Sequence, residues 1–217
     1  MYALLTLMAT SFLIGFSGAC TPGPLLFSVI VHSGREGFRA GPLNVVGHFI
    51  VEGSLAAALV AGLAAVIREE VAKTVIGLAG GLLLLFMAVD MLRYARKASL
   101  SKVREGQAAS PALERWGPIT MGAITSASNP FLFLWWLSVG NSLLFMGLRL
   151  AGLVGAALVY MAHISSDLAW YSLVSYSIDK GRRIITDKVY KVILVVCGVL
   201  LVYIALQFVY AGLSPLL

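Results

Sequence analysis

The 217 residues are 59% hydrophobic and only 12% charged, with a formal net charge of +6 and a mean hydropathy of +0.92. A soluble domain carries about 25% charged residues, so this composition leaves no room for a sizeable soluble domain, and the chain is not read as an enzyme. Nor is the positive balance a nucleic-acid signal, because the basic residues sit in turns between apolar runs rather than on one soluble face.

What fits is an all-α integral membrane protein of roughly six spans, each ~20–28 residues. The first run, Met1–Val31, lacks a basic leader, and Ser17-Gly18-Ala19-Cys20 lacks the aliphatic residue of a lipoprotein cleavage site. It is read as a retained span rather than a removed signal. Thr21-Pro22-Gly23-Pro24 interrupts it. Each proline removes a backbone donor and clashes with the preceding turn, so the helix must break or bend, either at a site or as a plain structural kink. In hydrocarbon, broken backbone survives only inside protein or beside a wet cavity, which makes this break a pointer to a site.

Five further apolar runs follow, at about 41–67, 71–95, 116–145, 150–178 and 189–212. The fourth is expected to break at Ser128-Asn129-Pro130 as the first does at its prolines. The polar stretch Lys97–Glu114 reads as a surface loop, dividing the chain into 1–96, a cytoplasmic loop 97–115, and 116–217. Turns after spans 1, 3 and 5 hold 13 of the 16 Lys and Arg residues. The positive-inside rule then makes those turns cytoplasmic and puts both termini outside. Trp116, Trp135, Trp136, Tyr94, Tyr190 and Tyr210 mostly fall near span ends, where interfacial aromatics belong; the Trp135-Trp136 pair is read as belt or packing rather than a substrate cage.

The two halves echo each other. Pro24-Leu-Leu-Phe27 answers Pro130-Phe-Leu-Phe133 at an offset of 106, and His48-x-x-x-Glu52 answers His163-x-x-x-Asp167 at 115. Three spans per half is an odd number, so the halves must be inverted, the arrangement that places a transporter's site at the repeat interface near the midplane.

At four-residue spacing each histidine shares a helix face with its acid. An ionisable group deep in a span costs about 2.5–3.5 kcal/mol and normally faces a bundle interior or water. One reading is two satisfied internal pairs that lock packing. The other is a cluster of His48, Glu52, His163 and Asp167 that holds a cationic amine or exchanges it for a proton, with the imidazoles as relay. The same four could ligate a divalent metal.

A helix restarting after Pro24 or Pro130 offers free donors and a positive dipole end to a carboxylate. Thr21, Pro22, Gly23, Pro24, Ser126, Ser128, Asn129 and Pro130 are therefore assigned to the breaks and the substrate carboxylate, and Asn44 to an extension of the polar face or, equally, to an interhelical hydrogen bond. The pairs Gly37/Gly41 and Gly77/Gly81 suit close helix packing or a homodimer face. Cys20 and Cys197 read as apolar filler.

On Thr21-Pro22-Gly23-Pro24, the glycine series Gly34, Gly37, Gly41 and Gly47, Gly62-Leu63, and Ser128-Asn129-Pro130, the chain resembles the lysine exporter (LysE/RhtB-type) family of amino-acid exporters along essentially its whole length. The resemblance implies a small inner-membrane exporter driven by an ion gradient, without a cofactor. Two positions depart from the family pattern: Phe131 stands where a lysine often follows Asn-Pro, and His48 follows Gly47 where many members carry the acid.

The expected function is secondary export of amino acids or related small amines, coupled to protons. Divalent-metal export through the His/acid pairs is the first alternative. A membrane thiol–disulfide carrier is the second, disfavoured because Cys20 and Cys197 do not occupy corresponding spans.

Overall fold

Among the described residues, four apolar stretches form helix long enough to cross a bilayer: Tyr2–Ala19, Pro24–Val60, Pro130–Gly181 and Asp187–Tyr210. The structure is a computed structural model describing residues 2–21, 23–62, 74–97, 116–181 and 186–214. Pro22, the turn at 63–73 and the polar loop at 98–115 lie outside the described residues, as do the side chains of Tyr94, Tyr190 and Cys197.

Among the described residues every regular element is helical: α1 Tyr2–Ala19, α2 Pro24–Glu36, α3 Ala40–Val60, α4 Gly81–Lys97, α5 Pro118–Ala127, α6 Pro130–Trp135, α7 Asn141–Gly181 and α8 Asp187–Leu213. A 3₁₀ turn, Gly37–Arg39, joins α2 to α3. π-turns at Ile76–Gly80 and Trp136–Gly140 precede α4 and α7.

Both proline breaks take the same local form. Gly23 is extended (φ −144°, ψ −179°) and Pro24 opens α2; Asn129 is extended (φ −92°, ψ 105°) and Pro130 opens α6. Proline suits a first helical position because its missing N–H would be unpaired there anyway. The ends differ, however. Asn129 Oδ1 accepts from the Phe131 N–H at 3.1 Å, whereas Gly23 gives α2 no side-chain cap.

Two of the long apolar stretches fold back on themselves. Ser28 Oγ donates to Asn44 Oδ1 at 2.7 Å across 16 positions, a separation of about 24 Å in a straight helix. The reversal falls at Gly37, whose φ of 77° favours glycine. Within α7, Ala151 and Gly152 leave helical geometry, with Gly152 at φ 59°. The two arms then press together so that a Cβ on Gly147 would lie 2.7 Å from the Gly155 carbonyl oxygen.

Packing is reciprocal: α1 lies along α7, α5 along α3, and α4 along α8. Without a hydrophobic drive between helices in lipid, small residues let backbones approach. A Cβ on Gly47 would strike the Ile119 carbonyl oxygen, and one on Gly122 the Asn44 carbonyl oxygen, so α3 and α5 meet backbone to backbone. Gly41 abuts the Tyr171 carbonyl and Gly77 abuts Gly212. These small-residue stripes are thus taken up by packing within the chain. One apolar cluster gathers Phe27, Ile30, Val31, Met91, Met121 and Leu194. A second gathers Leu7, Leu59, Leu132, Leu144 and Val159. The ionisable residues of α3 and α7 belong to neither.

Candidate functional site

His48 and Glu52 project from one face of α3, and His163 and Asp167 from the second arm of α7; all four are buried. They form one cluster rather than two private pairs. Glu52 Oε1 lies 3.3 Å from Nε2 of His48 and 3.3 Å from Nε2 of His163. His48 Nε2 is 3.9 Å from Asp167 Oδ1, and His163 Nε2 is 3.6 Å from Asp167 Oδ2. Each acid therefore faces both imidazoles.

Span 4 holds this cluster with both limbs. From α5, Ser126 Oγ lies 2.8 Å from His48 Nδ1. From the π-turn beyond α6, the indole N–H of Trp136 donates to Glu52 Oε1 at 2.8 Å. Gly140 leaves room for both indoles, since a Cβ there would lie 2.4 Å from Cε3 of Trp136 and 2.9 Å from Cζ3 of Trp135. The His163 ring stacks at a tilt on Trp135, with centroids 4.4 Å apart.

Glu52 Oε2, Asp167 Oδ2 and His163 Nδ1 are buried with no hydrogen-bond partner among the described residues. Buried polar atoms of this kind are expensive to leave unpaired, so they call for an occupant: water, a proton or a cation. Space is available. A cavity leaves about 50 Å³ for the centres of water molecules, against about 10–15 Å³ for one.

All four cluster residues line the cavity, together with Thr21, Gly23 and Pro24 of the first break and Ser126 and Asn129 of the second. Leu84 of α4 and Leu201 of α8 complete its side. The structure therefore brings together the ionisable cluster and both helix breaks around one space.

Three of the residues assigned to the site from sequence lie off the cavity lining. Asn44 is buried, but its amide donates to the Ala40 carbonyl at 2.8 Å and its oxygen receives Ser28, which makes it a clip between α2 and α3. Ser128 returns its hydroxyl to the Ile124 carbonyl at 2.7 Å. Pro130 is buried at the start of α6. Thr21 lines the cavity although its own hydroxyl is spent on the Ser17 carbonyl at 2.8 Å.

Of the belt and packing readings of Trp135 and Trp136, the belt is corrected: they are packed, 8% and 2% exposed, and they form one wall of the site. The break at Asn129–Pro130 restarts the helix, so residues a turn and a half beyond it stand beside the cluster rather than at a membrane surface. Trp116 and Tyr210, at 46% and 70% exposed, do lie outward. Cys20 is likewise exposed rather than packed as core filler.

Tyr171 also lines the cavity, and its signal was present: it continues the His163, Asp167 stripe by one further turn. His32 is buried away from the cavity, its Nδ1 2.8 Å from the Ser28 carbonyl and its Nε2 3.2 Å from that of Trp116.

Long apolar helices, two of them folded back, around a buried ionisable cluster and interrupted backbone define a membrane translocator. The chain belongs to the LysE type translocator family, whose model matches residues 16–212. Members of this family are transporters and not enzymes, so the partners are a small-molecule substrate and a lipid bilayer. Neither a curated protein nor a solved structure matches the chain.

Proposed function

We propose that this translocator is a secondary exporter of amino acids or related small amines across the cytoplasmic membrane, exchanging its substrate for protons. The observation that carries the reading is the convergence of two carboxylates and two imidazoles on a cavity that both helix breaks also line. A substrate ammonium would sit between Glu52 and Asp167, where two close carboxylates repel each other unless a cation or proton lies between them. Its carboxylate would face the start of α2, which has no side-chain cap and carries the positive end of the helix dipole. The start of α6 is the weaker candidate, because Asn129 already occupies a donor there.

In this account the chain makes six passes as two inverted three-helix repeats, 1–96 and 116–217, joined by a cytoplasmic loop, with both termini outside. Reciprocal packing of α1 on α7 and α5 on α3 supports the repeat. So does the apolar cluster that joins Phe27, Ile30 and Val31 of α2 and the C-terminal part of α4 to the N-terminal parts of α5 and α8, as alternating passes require. One half would rock against the other about the shared site.

The test is counterflow in proteoliposomes with a panel of labelled amino acids and amines under imposed pH gradients. Accumulation of at least one such compound, dependent on the gradient, is expected. No counterflow of any amino acid or amine would overturn the reading.

A second reading has its own observation: ligand atoms of His48, Glu52 and Asp167 lie within 4.8 Å of one another, a donor set that suits a zinc-like ion. There the transported species would be a divalent cation. Calorimetry of Zn²⁺ binding to purified protein distinguishes the two, with binding lost in His48→Ala under the metal reading.

A further inference from the structure

The hydroxyl of Ser126 has one hydrogen and two neighbours. Its oxygen lies 2.6 Å from the Gly122 carbonyl oxygen and 2.8 Å from His48 Nδ1. Two oxygens at 2.6 Å must have a hydrogen between them, because bare lone pairs would repel at that distance. The carbonyl carries none, so the serine hydrogen is committed to Gly122. What Ser126 then offers His48 is a lone pair. Nδ1 must bring its own hydrogen, since a bare ring nitrogen would again oppose lone pair to lone pair. The charged ring carries a hydrogen on both nitrogens, whereas the neutral ring carries one; with Nδ1–H kept by Ser126, the nitrogen that gives up its hydrogen is Nε2, 3.3 Å from Glu52 Oε1 and 3.9 Å from Asp167 Oδ1.

We propose that Ser126 is a positioning residue that holds His48 as the Nδ1–H tautomer, so that Nε2 presents its lone pair to the cavity between Glu52 and Asp167. The hydrogen bond on one ring nitrogen decides what the other can do. Here it aims the acceptor at the place where a transported ammonium, a proton or a metal ion would sit. That role for the acceptor rests on the transport reading given above; the tautomer itself does not.

The arrangement is specific to one half. Ser126 precedes Pro130 by four residues, and the residue four before Pro24 is Cys20, which is exposed. Accordingly Nδ1 of His163 has no partner among the described residues, while Nδ1 of His48 does. The grip also depends on close helix approach: Gly47 and Gly122 bring α3 and α5 into backbone contact next to the two bonded side chains. Because Ser126 lies before the break at Ser128–Asn129 and Trp136 beyond it, the two limbs of span 4 hold His48 and Glu52 separately.

The experiment is ¹⁵N NMR of histidine-labelled protein in lipid nanodiscs at alkaline pH, with no transported compound present and the His48 signals assigned by their absence in His48→Gln. In wild type the hydrogen is expected on Nδ1. In Ser126→Ala it is expected to move to Nε2, and Ser126→Thr, which keeps the hydroxyl, should restore Nδ1–H. A wild-type spectrum with Nδ1 bare, or a hydrogen that stays on Nδ1 in Ser126→Ala, overturns the proposal. Should Ser126→Ala fail to fold, the wild-type spectrum alone remains decisive. Failure here would leave the exporter reading standing, and absence of counterflow would leave the tautomer standing, so the two results are separable.

Discussion

Trp136 donates its indole N–H to Oε1 of Glu52 at 2.8 Å, across 84 positions of sequence. That oxygen also faces both imidazoles, so the bond ties the far limb of the broken helix to the centre of the cluster. Replacing Trp136 with Phe keeps an aromatic ring and removes the donor. Losing one hydrogen bond to a charged group costs about 1.5–3 kcal/mol. Trp136→Phe should therefore lower stability by about that amount, read as a shift in thermal unfolding of detergent-solubilised protein, and should depress transport as well.

Helix contact between α3 and α5 gives a second prediction. Gly47→Ala would drive a methyl group into the Ile119 carbonyl, which is backbone and cannot swing aside. Overpacking of this sort costs about 1–3 kcal/mol. Gly117→Ala is the control, because a Cβ there meets nothing within 4 Å among the described residues and its φ of −68° suits any residue. Its effect should stay within about 0.5 kcal/mol. Equal destabilisation of the two variants would mean that α3 and α5 are not in backbone contact.

The proton-exchange account fixes a sign. If each exported substrate is replaced by protons moving inward, acidifying the outside should speed efflux, and alkalinising it should slow efflux. A protonophore should abolish accumulation against a gradient. Efflux from proteoliposomes at several imposed gradients measures this directly, and a rate indifferent to the gradient would point to another coupling ion.

Opposite ends of a zwitterion should be recognised by different elements. A compound with the carboxylate blocked as an amide loses its partner at the start of α2, and one with the amine acetylated loses Glu52 and Asp167. Both should compete poorly with the parent compound in counterflow. A blocked carboxylate that competes as well as the free acid would show that the substrate is a simple amine.

Much of this was legible in sequence for identifiable reasons. Four-residue spacing puts His48 with Glu52 and His163 with Asp167 on single helix faces, and the prolines at 24 and 130 suit the first position of a helix. What periodicity could not give was which neighbouring helix each face meets. Asn44 stands one turn from His48 on the same helix, yet Ser28 from α2 claims it. The Trp135-Trp136 pair could be read as belt or as packing because a run of apolar residues carries no mark of where its helix restarts in depth. The hydrogen bonds from Ser126 and Trp136 to α3 join residues 78 and 84 positions apart, a pairing that no local pattern encodes.

The cluster itself is tested most directly by removing one charge at a time while keeping shape. Efflux should be measured for Glu52→Gln and Asp167→Asn in proteoliposomes, alongside wild type and at matched, folded protein content. Loss of transport in both variants is the result this account predicts. Wild-type efflux from either one would contradict it.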